Sequence, residues 1–183
     1  MTDQFSLKDK VIIVTGGTGI LGNSFVNAIV EAGGAVGILG RNEKIAGERA
    51  DTINKNGGKA FPLIADAMDE KQLIAAKEKA LSHFGKIDGL VNGAGGNMPE
   101  GVLMPGEDIF SMNLAGMKKV MEINLWGTII PTQIFGEAIA KNGKGSIVNI
   151  SSMNSKRATT RVLGYNMGKA AMDCCGAGQP LRR

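Results

Sequence analysis

Short, uninterrupted runs of apolar residues alternate along this chain with longer stretches in which apolar positions recur every three or four residues. Residues 10–15 (KVIIVT) form the first run. It is β-branched, is closed by glycines, and predicts a buried strand. Residues 20–32 follow as a helix, with Leu21, Phe25, Ala28, Ile29 and Ala32 on one face. The alternation continues with strands over 35–40, 59–65, 87–92 and 146–151. Helices are predicted over 43–56, 69–84 and 118–140, and another begins at 164. Pro62 argues for an irregular or edge position of the third strand. Residues 93–116 read as a long loop punctuated by glycine and proline, of the kind found beside sites. Strands alternating with crossover helices give an α/β, doubly wound parallel sheet of the Rossmann kind.

Composition narrows the function classes. Apolar residues make up 43% of the 183 positions and charged residues 21%, as in globular chains. No apolar run approaches a membrane span. The N-terminus lacks the layout of a signal peptide, so a cytoplasmic protein is expected. The net charge is +4, but lysines and arginines are interleaved with acids, which argues against a nucleic-acid partner. Cys174 and Cys175, adjacent in sequence, suggest no disulfide framework. His83 is the only histidine. That excludes a Cys/His metal cluster and leaves little room for a Ser-His-Asp hydrolase. Its place at the end of a predicted helix suits a cation in the dipole field. Glycine, at 27 residues, is about twice its usual share.

Five segments carry candidate chemistry. Thr15-Gly16-Gly17-Thr18-Gly19-Ile20-Leu21-Gly22 joins the first strand to the first helix. Gly17, Gly19 and Gly22 fit G-x-G-x-x-G, a tight turn that brings backbone and a helix N-terminus against a pyrophosphate. The second strand ends Leu39-Gly40-Arg41-Asn42. An acid at position 40 would bind the adenosine ribose hydroxyls. With Gly40 there and Arg41 next, NADP is favoured over NAD. Asp66, before Ala67, is placed either to accept from an adenine amino group or to cap a helix. Asn92-Gly93-Ala94-Gly95 lets backbone pass close to a cofactor. Tyr165 and Lys169 stand at i and i+4 on one helical face. A neighbouring ammonium stabilises a phenolate, which makes a tyrosine usable as an acid or base. Ser152, thirteen positions before Tyr165, could bond a substrate oxygen.

Taken in order, these segments, with Asn124 in Glu-Ile-Asn-Leu-Trp-Gly127 and Ile150-Ser-Ser152, resemble the short-chain dehydrogenase/reductase family along essentially the whole chain. The resemblance implies that Tyr165 is the general acid/base and that Ser152 polarises the reacting oxygen. It implies that Lys169 assists Tyr165 and holds the nicotinamide ribose, and that Asn124 supports a proton-relay water. TGGTGILG, LGRN, NGAGGN, Pro131–Gln133 and ISSMN are similar to a mannonate (fructuronate) oxidoreductase-like subgroup. Lys156, Arg157 and Arg161 would suit a sugar-acid carboxylate, though a solvated basic loop explains them too. The implied activity interconverts a secondary alcohol and a ketone, and the implied parent assembly is a homodimer or homotetramer.

Three features depart from the family pattern. Ile20 replaces the middle glycine of T-G-x-x-x-G-x-G, and the residues present equally fit T-G-x-x-G-x-x-G, the pattern typical of nucleotide-sugar epimerases. Gly93 replaces a second asparagine. Residues 174–183 break helical rules, so residues 1–173 read as a dinucleotide-binding domain carrying five strands of the family's larger sheet. The last ten read as an aberrant, frameshift-like tail, with a natural compact tail as the alternative. A catalytically silent cofactor-binding fragment, with apolar surface exposed along the fifth strand and the long helix, is the rival expectation.

Overall fold

The structure, a computed structural model, describes residues 3–176. Five parallel strands, β1 (Val11–Thr15), β2 (Ala35–Gly40), β3 (Lys59–Ile64), β4 (Gly89–Asn92) and β5 (Ser146–Asn149), lie in the order β3-β2-β1-β4-β5. Helices α1 (Ile20–Glu31), α2 (Glu43–Lys55), α3 (Glu70–Phe84) and α4 (Leu114–Lys141) connect them, and α5 (Leu163–Gly176) follows β5. This is the doubly wound Rossmann arrangement. Its direction of winding reverses between β1 and β4, where a crevice opens at the strands' carboxyl ends.

Burial explains the apolar runs. Every residue of β2 is buried, and Ile13 and Val14 of β1 are fully so. One core packs α3 and α4 on the sheet through Leu73, Leu90 and Phe135; the other packs α1 and α2 through Val26, Val36 and Ala50. Pro62 sits in β3 at the sheet edge, as expected, but its register with Ile38 is unbroken. An edge strand tolerates the missing N–H.

Several boundaries differ from expectation, among them the start of β4, at Gly89 rather than 87. Asn113 caps α4 by accepting from the Gly116 N–H at 3.0 Å, so this helix begins at Leu114, four residues earlier than predicted. β5 ends at Asn149 rather than continuing to 151. Helix α5 runs through Cys174 and Cys175 to Gly176, and the rest of the expected tail lies outside the described residues. His83 does lie in the last turn of α3, where its ring stacks on Phe61 at 4.1 Å. Val148 on β5 is 49% exposed and Trp126 on α4 is 46% exposed. Among the described residues no helix is long and apolar enough to cross a membrane.

Asp88 ties the amino end of the sheet together. Its carboxylate accepts from the Val11 N–H at 2.9 Å and pairs with Lys86 at 3.0 Å and Lys10 at 3.8 Å. Burial by itself pushes this carboxyl up, but the Val11 and Lys86 hydrogen bonds and the two ammonium charges hold it below the usual range. A lowered folded-state value adds stability above the unfolded value of about 3.9, and that stability is lost as pH falls through the folded value. Asp88→Asn therefore flattens the acid limb of urea midpoint against pH below about pH 4. An acid limb unchanged in the variant contradicts this role.

Candidate active site

The crevice at the switch point is a cleft of about 510 Å³, within the usual range for ligand pockets. Its floor is the turn after β1. Gly16 has φ +68°, so the left-handed residue of this turn is Gly16, one position before the predicted G-x-G-x-x-G run. A Cβ on Gly16 would lie 2.7 Å from Gly93 O, and one on Gly22 would lie 2.1 Å from Gly16 O. Those two positions have no room for a side chain. Ile20, at the departure from the family spelling, is 91% exposed and lines the cleft as the first residue of α1.

Helices α2, α3 and α4 are each capped by a side chain, Asn42, Asp69 and Asn113 respectively. Helix α1 has Gly19 at its N-cap position and so no side-chain cap. Gly19, Ile20, Leu21 and Gly22 line the cleft, and the first-turn N–H groups of a helix have no intrahelical partners, an arrangement suited to a phosphate.

Beyond the turn, the wall is built from the ends of β2, β3 and β4. Arg41 and Asp66 pair across it at 3.6 Å. The helix cap considered for Asp66 falls instead to Asp69, while Asp66 accepts from the Met68 N–H at 2.9 Å. Ala67, Gly93, Ala94 and Gly95 also line the cleft, with Gly16, Thr18, Gly19 and Gly22. Seven sequence candidates do not: Gly17, Asn42 and Asn92, and the catalytic candidates Asn124, Ser152, Tyr165 and Lys169. Gly17 is buried, donating its N–H to Leu39 O at 2.9 Å. Asn42 caps α2 through Ile45 N. Asn92 is buried, and its amide donates to Thr132 and Asn149, each at 2.8 Å.

Two groups that sequence reasoning did not single out hold this wall in place. The Thr15 hydroxyl accepts from the N–H groups of Gly93 and Ala94, both at 3.1 Å. The Arg49 guanidinium, on α2, donates to the carbonyls of Gly17 and Gly19. A hydroxyl at the end of a strand was a readable signal for the first. A helix arginine carries no such signal.

Asn124 is fully buried in α4. Its amide donates to Gly96 O and Val120 O, both at 2.7 Å, and its oxygen accepts from Gly96 N at 3.1 Å. A mid-helix asparagine, unfavourable in isolation, thus clips the β4 loop to α4.

Lys169 lies beside this clip. Its ammonium donates to Ile150 O at 2.7 Å and stands 5.9 Å from the centre of the Tyr165 ring. Burial pushes this ammonium below the ordinary lysine range, and the Asp173 carboxylate on the next turn pulls it back up. Ser152 begins a 3-10 turn (Met153–Ser155) that packs on α5. Its hydroxyl oxygen accepts from Asn154 N at 3.2 Å, so its proton is free to be donated elsewhere. The Asn154 side chain in turn donates to Asn166, next to Tyr165, at 2.8 Å. The basic loop is more committed than expected. Lys156 pairs with Asp173 at 3.4 Å, and Arg161 donates to Leu103 O; Arg157 is exposed.

The sequence model described as short chain dehydrogenase matches residues 10–175. The chain belongs to this family. An oxidoreductase of Bacillus subtilis (strain 168), named UxuB, is 32% identical over 176 residues, which cover 92% of this chain and 63% of the relative. Two solved family structures also superpose. A Haemophilus influenza protein described as a D-mannonate oxidoreductase with bound NAD has a TM-score of 0.86 at 28% identity, covering 94% of this chain and 65% of that one. A gluconate 5-dehydrogenase from Burkholderia cenocepacia, in complex with NADP and tartrate, has a TM-score of 0.85 at 26% identity, covering 94% and 65%. This chain therefore spans a little under two thirds of the length of these dehydrogenases.

The clip by Asn124 yields a direct test. Asn124→Ala leaves Gly96 N–H and C=O without their partners, at a cost of about 1–3 kcal/mol for each buried group that stays unpaired. Chemical denaturation reads the loss, and amide exchange at Gly96 should quicken with it. Unchanged stability and exchange would remove Asn124 as the anchor of this loop.

Proposed function

We propose that this chain binds NADP, in preference to NAD, and belongs to an oxidoreductase that interconverts a secondary alcohol and a ketone. The observation that carries the proposal is the Tyr165–Lys169 pair, with Lys169 anchored on Ile150 O beside the loop that walls the cleft. The bound dinucleotide would supply the hydride chemistry. The cleft fits it: close-packed glycines admit backbone to a pyrophosphate, and the uncapped start of α1 faces that position.

This chain's residues would handle the oxygen and its proton. Ser152, its own oxygen already accepting from Asn154, donates to the substrate oxygen. Tyr165 gives that oxygen a proton in reduction and removes it in oxidation. The Lys169 charge stabilises the phenolate formed at Tyr165, and its ammonium is held where a cofactor ribose can meet it. Asn124 shapes the loop between cofactor and substrate.

Preference for NADP is supported by the end of β2. A Cβ at Gly40 would lie 2.4 Å from the Thr18 hydroxyl, so an acid there requires Thr18 to move. Arg41 is exposed and available to a 2′-phosphate, with Asp66 as its present partner. For the substrate, the described relatives support a sugar acid. The basic loop contributes less to that case, because Lys156 is engaged by Asp173.

Titration of NADPH and NADH into the chain, followed by turnover with candidate keto acids, tests the proposal. NADPH binds more tightly, and Arg41→Ala lowers that preference about tenfold, the value of one charge-assisted contact. Tyr165→Phe keeps cofactor binding and loses about 100-fold or more in turnover. Turnover retained by Tyr165→Phe overturns the acid/base role, while binding without turnover in the parent chain supports a cofactor-binding module instead.

A further inference from the structure

Arg49, on α2, bonds the glycine turn without being among the residues that line the cleft. One of its terminal nitrogens donates to both Gly17 O, at 2.5 Å, and Gly19 O, at 2.9 Å. The arrangement follows from peptide geometry. A peptide unit carries its N–H and C=O on opposite sides. A turn that presents N–H groups to an anion therefore directs carbonyls to the other face, where they need donors of their own. In this turn Gly19 N–H is spent on Gly16 O, and Gly19 O also accepts from Asn23 N as α1 begins. Arg49 adds the second donor to Gly19 O and a donor to Gly17 O.

We infer that Arg49 is a positioning residue for dinucleotide binding, fixing the peptide planes of Gly17 and Gly19 and placing a positive charge behind the pyrophosphate seat. The inference rests on the dinucleotide reading of the cleft and extends it to a residue outside the cleft's lining. Arg49 acts through the turn rather than by touching the ligand. One guanidinium nitrogen offers the two hydrogens that two carbonyls require. Lysine has the charge but not the planar fork. Methionine has neither.

The role predicts a dependence on ligand charge that a merely structural residue would not show. ADP-ribose carries the pyrophosphate and adenosine does not. By calorimetric titration of the whole chain, Arg49→Met should bind ADP-ribose about tenfold more weakly, as the turn loses the charge-assisted hydrogen bonds that fix it, with adenosine unchanged. Arg49→Lys should recover part of the affinity and retain part of its salt dependence. ADP-ribose binding unchanged in Arg49→Met overturns the inference alone. Equal weakening of ADP-ribose and adenosine does so too, because it marks general damage to the cleft. If Arg49→Met does not fold, as judged by circular dichroism, Arg49→Lys decides. A loss for ADP-ribose but not adenosine supports the role, and no loss overturns it. A parent chain that binds neither NADPH nor ADP-ribose overturns the dinucleotide reading and this inference with it.

Discussion

Two chain reversals, after β1 and after β4, approach more closely than side chains allow, and the site is organised around that approach. Gly16 lies against the backbone of Gly93, and the Thr15 hydroxyl collects the N–H groups of Gly93 and Ala94. In-register pairing of Thr15 with Asn92, and of Asn92 with Asn149, aligns the carboxyl ends of three neighbouring strands. A parallel sheet whose direction of winding changes here must leave an opening at this edge. The close backbone contact sets glycine main chain along the floor of the opening, beside side chains such as Ile20, Leu39 and Ile123.

The surroundings of Tyr165 and Lys169 are assembled by a different set of forces. Helix α5 packs against α4, and Gly168 permits this because a Cβ there would lie 2.9 Å from Asn124 Cβ. That packing carries Lys169 to Ile150 O and keeps it within reach of Tyr165. Asn154 and Asn166 then brace the serine turn against the first turn of α5. Each link is short and polar. The spacing of Ser152 from Tyr165 is thus held by side-chain hydrogen bonds across an irregular loop as well as by the helix.

Legibility from sequence followed the range of the interaction. The strands were readable because full burial demands continuous β-branched runs, and β2 has no exposed residue at all. The Tyr165–Lys169 pair was readable because helical spacing is local. Helix α4 starts four residues before the expected 118 because Asn113 caps it, a local signal lying inside the run read as the 93–116 loop. Asn42 and Asn92 sat within strong motifs, yet one caps a helix and the other cross-links strands. Arg49 could not be found from sequence. Its partners lie 30 and 32 positions away, and nothing in α2 announces a guanidinium turned toward a glycine loop.

The sheet also divides its labour along its length. Asp88, Lys10 and Lys86 knot together the amino end, and His83 stacks on Phe61 under the same edge, while the cleft occupies the opposite end. A change of charge at the anchoring end therefore lies the length of the strands away from the cleft. A lineage of such chains could drift in the electrostatics of one pole for adaptation to acidity or heat, and keep its chemistry intact at the other.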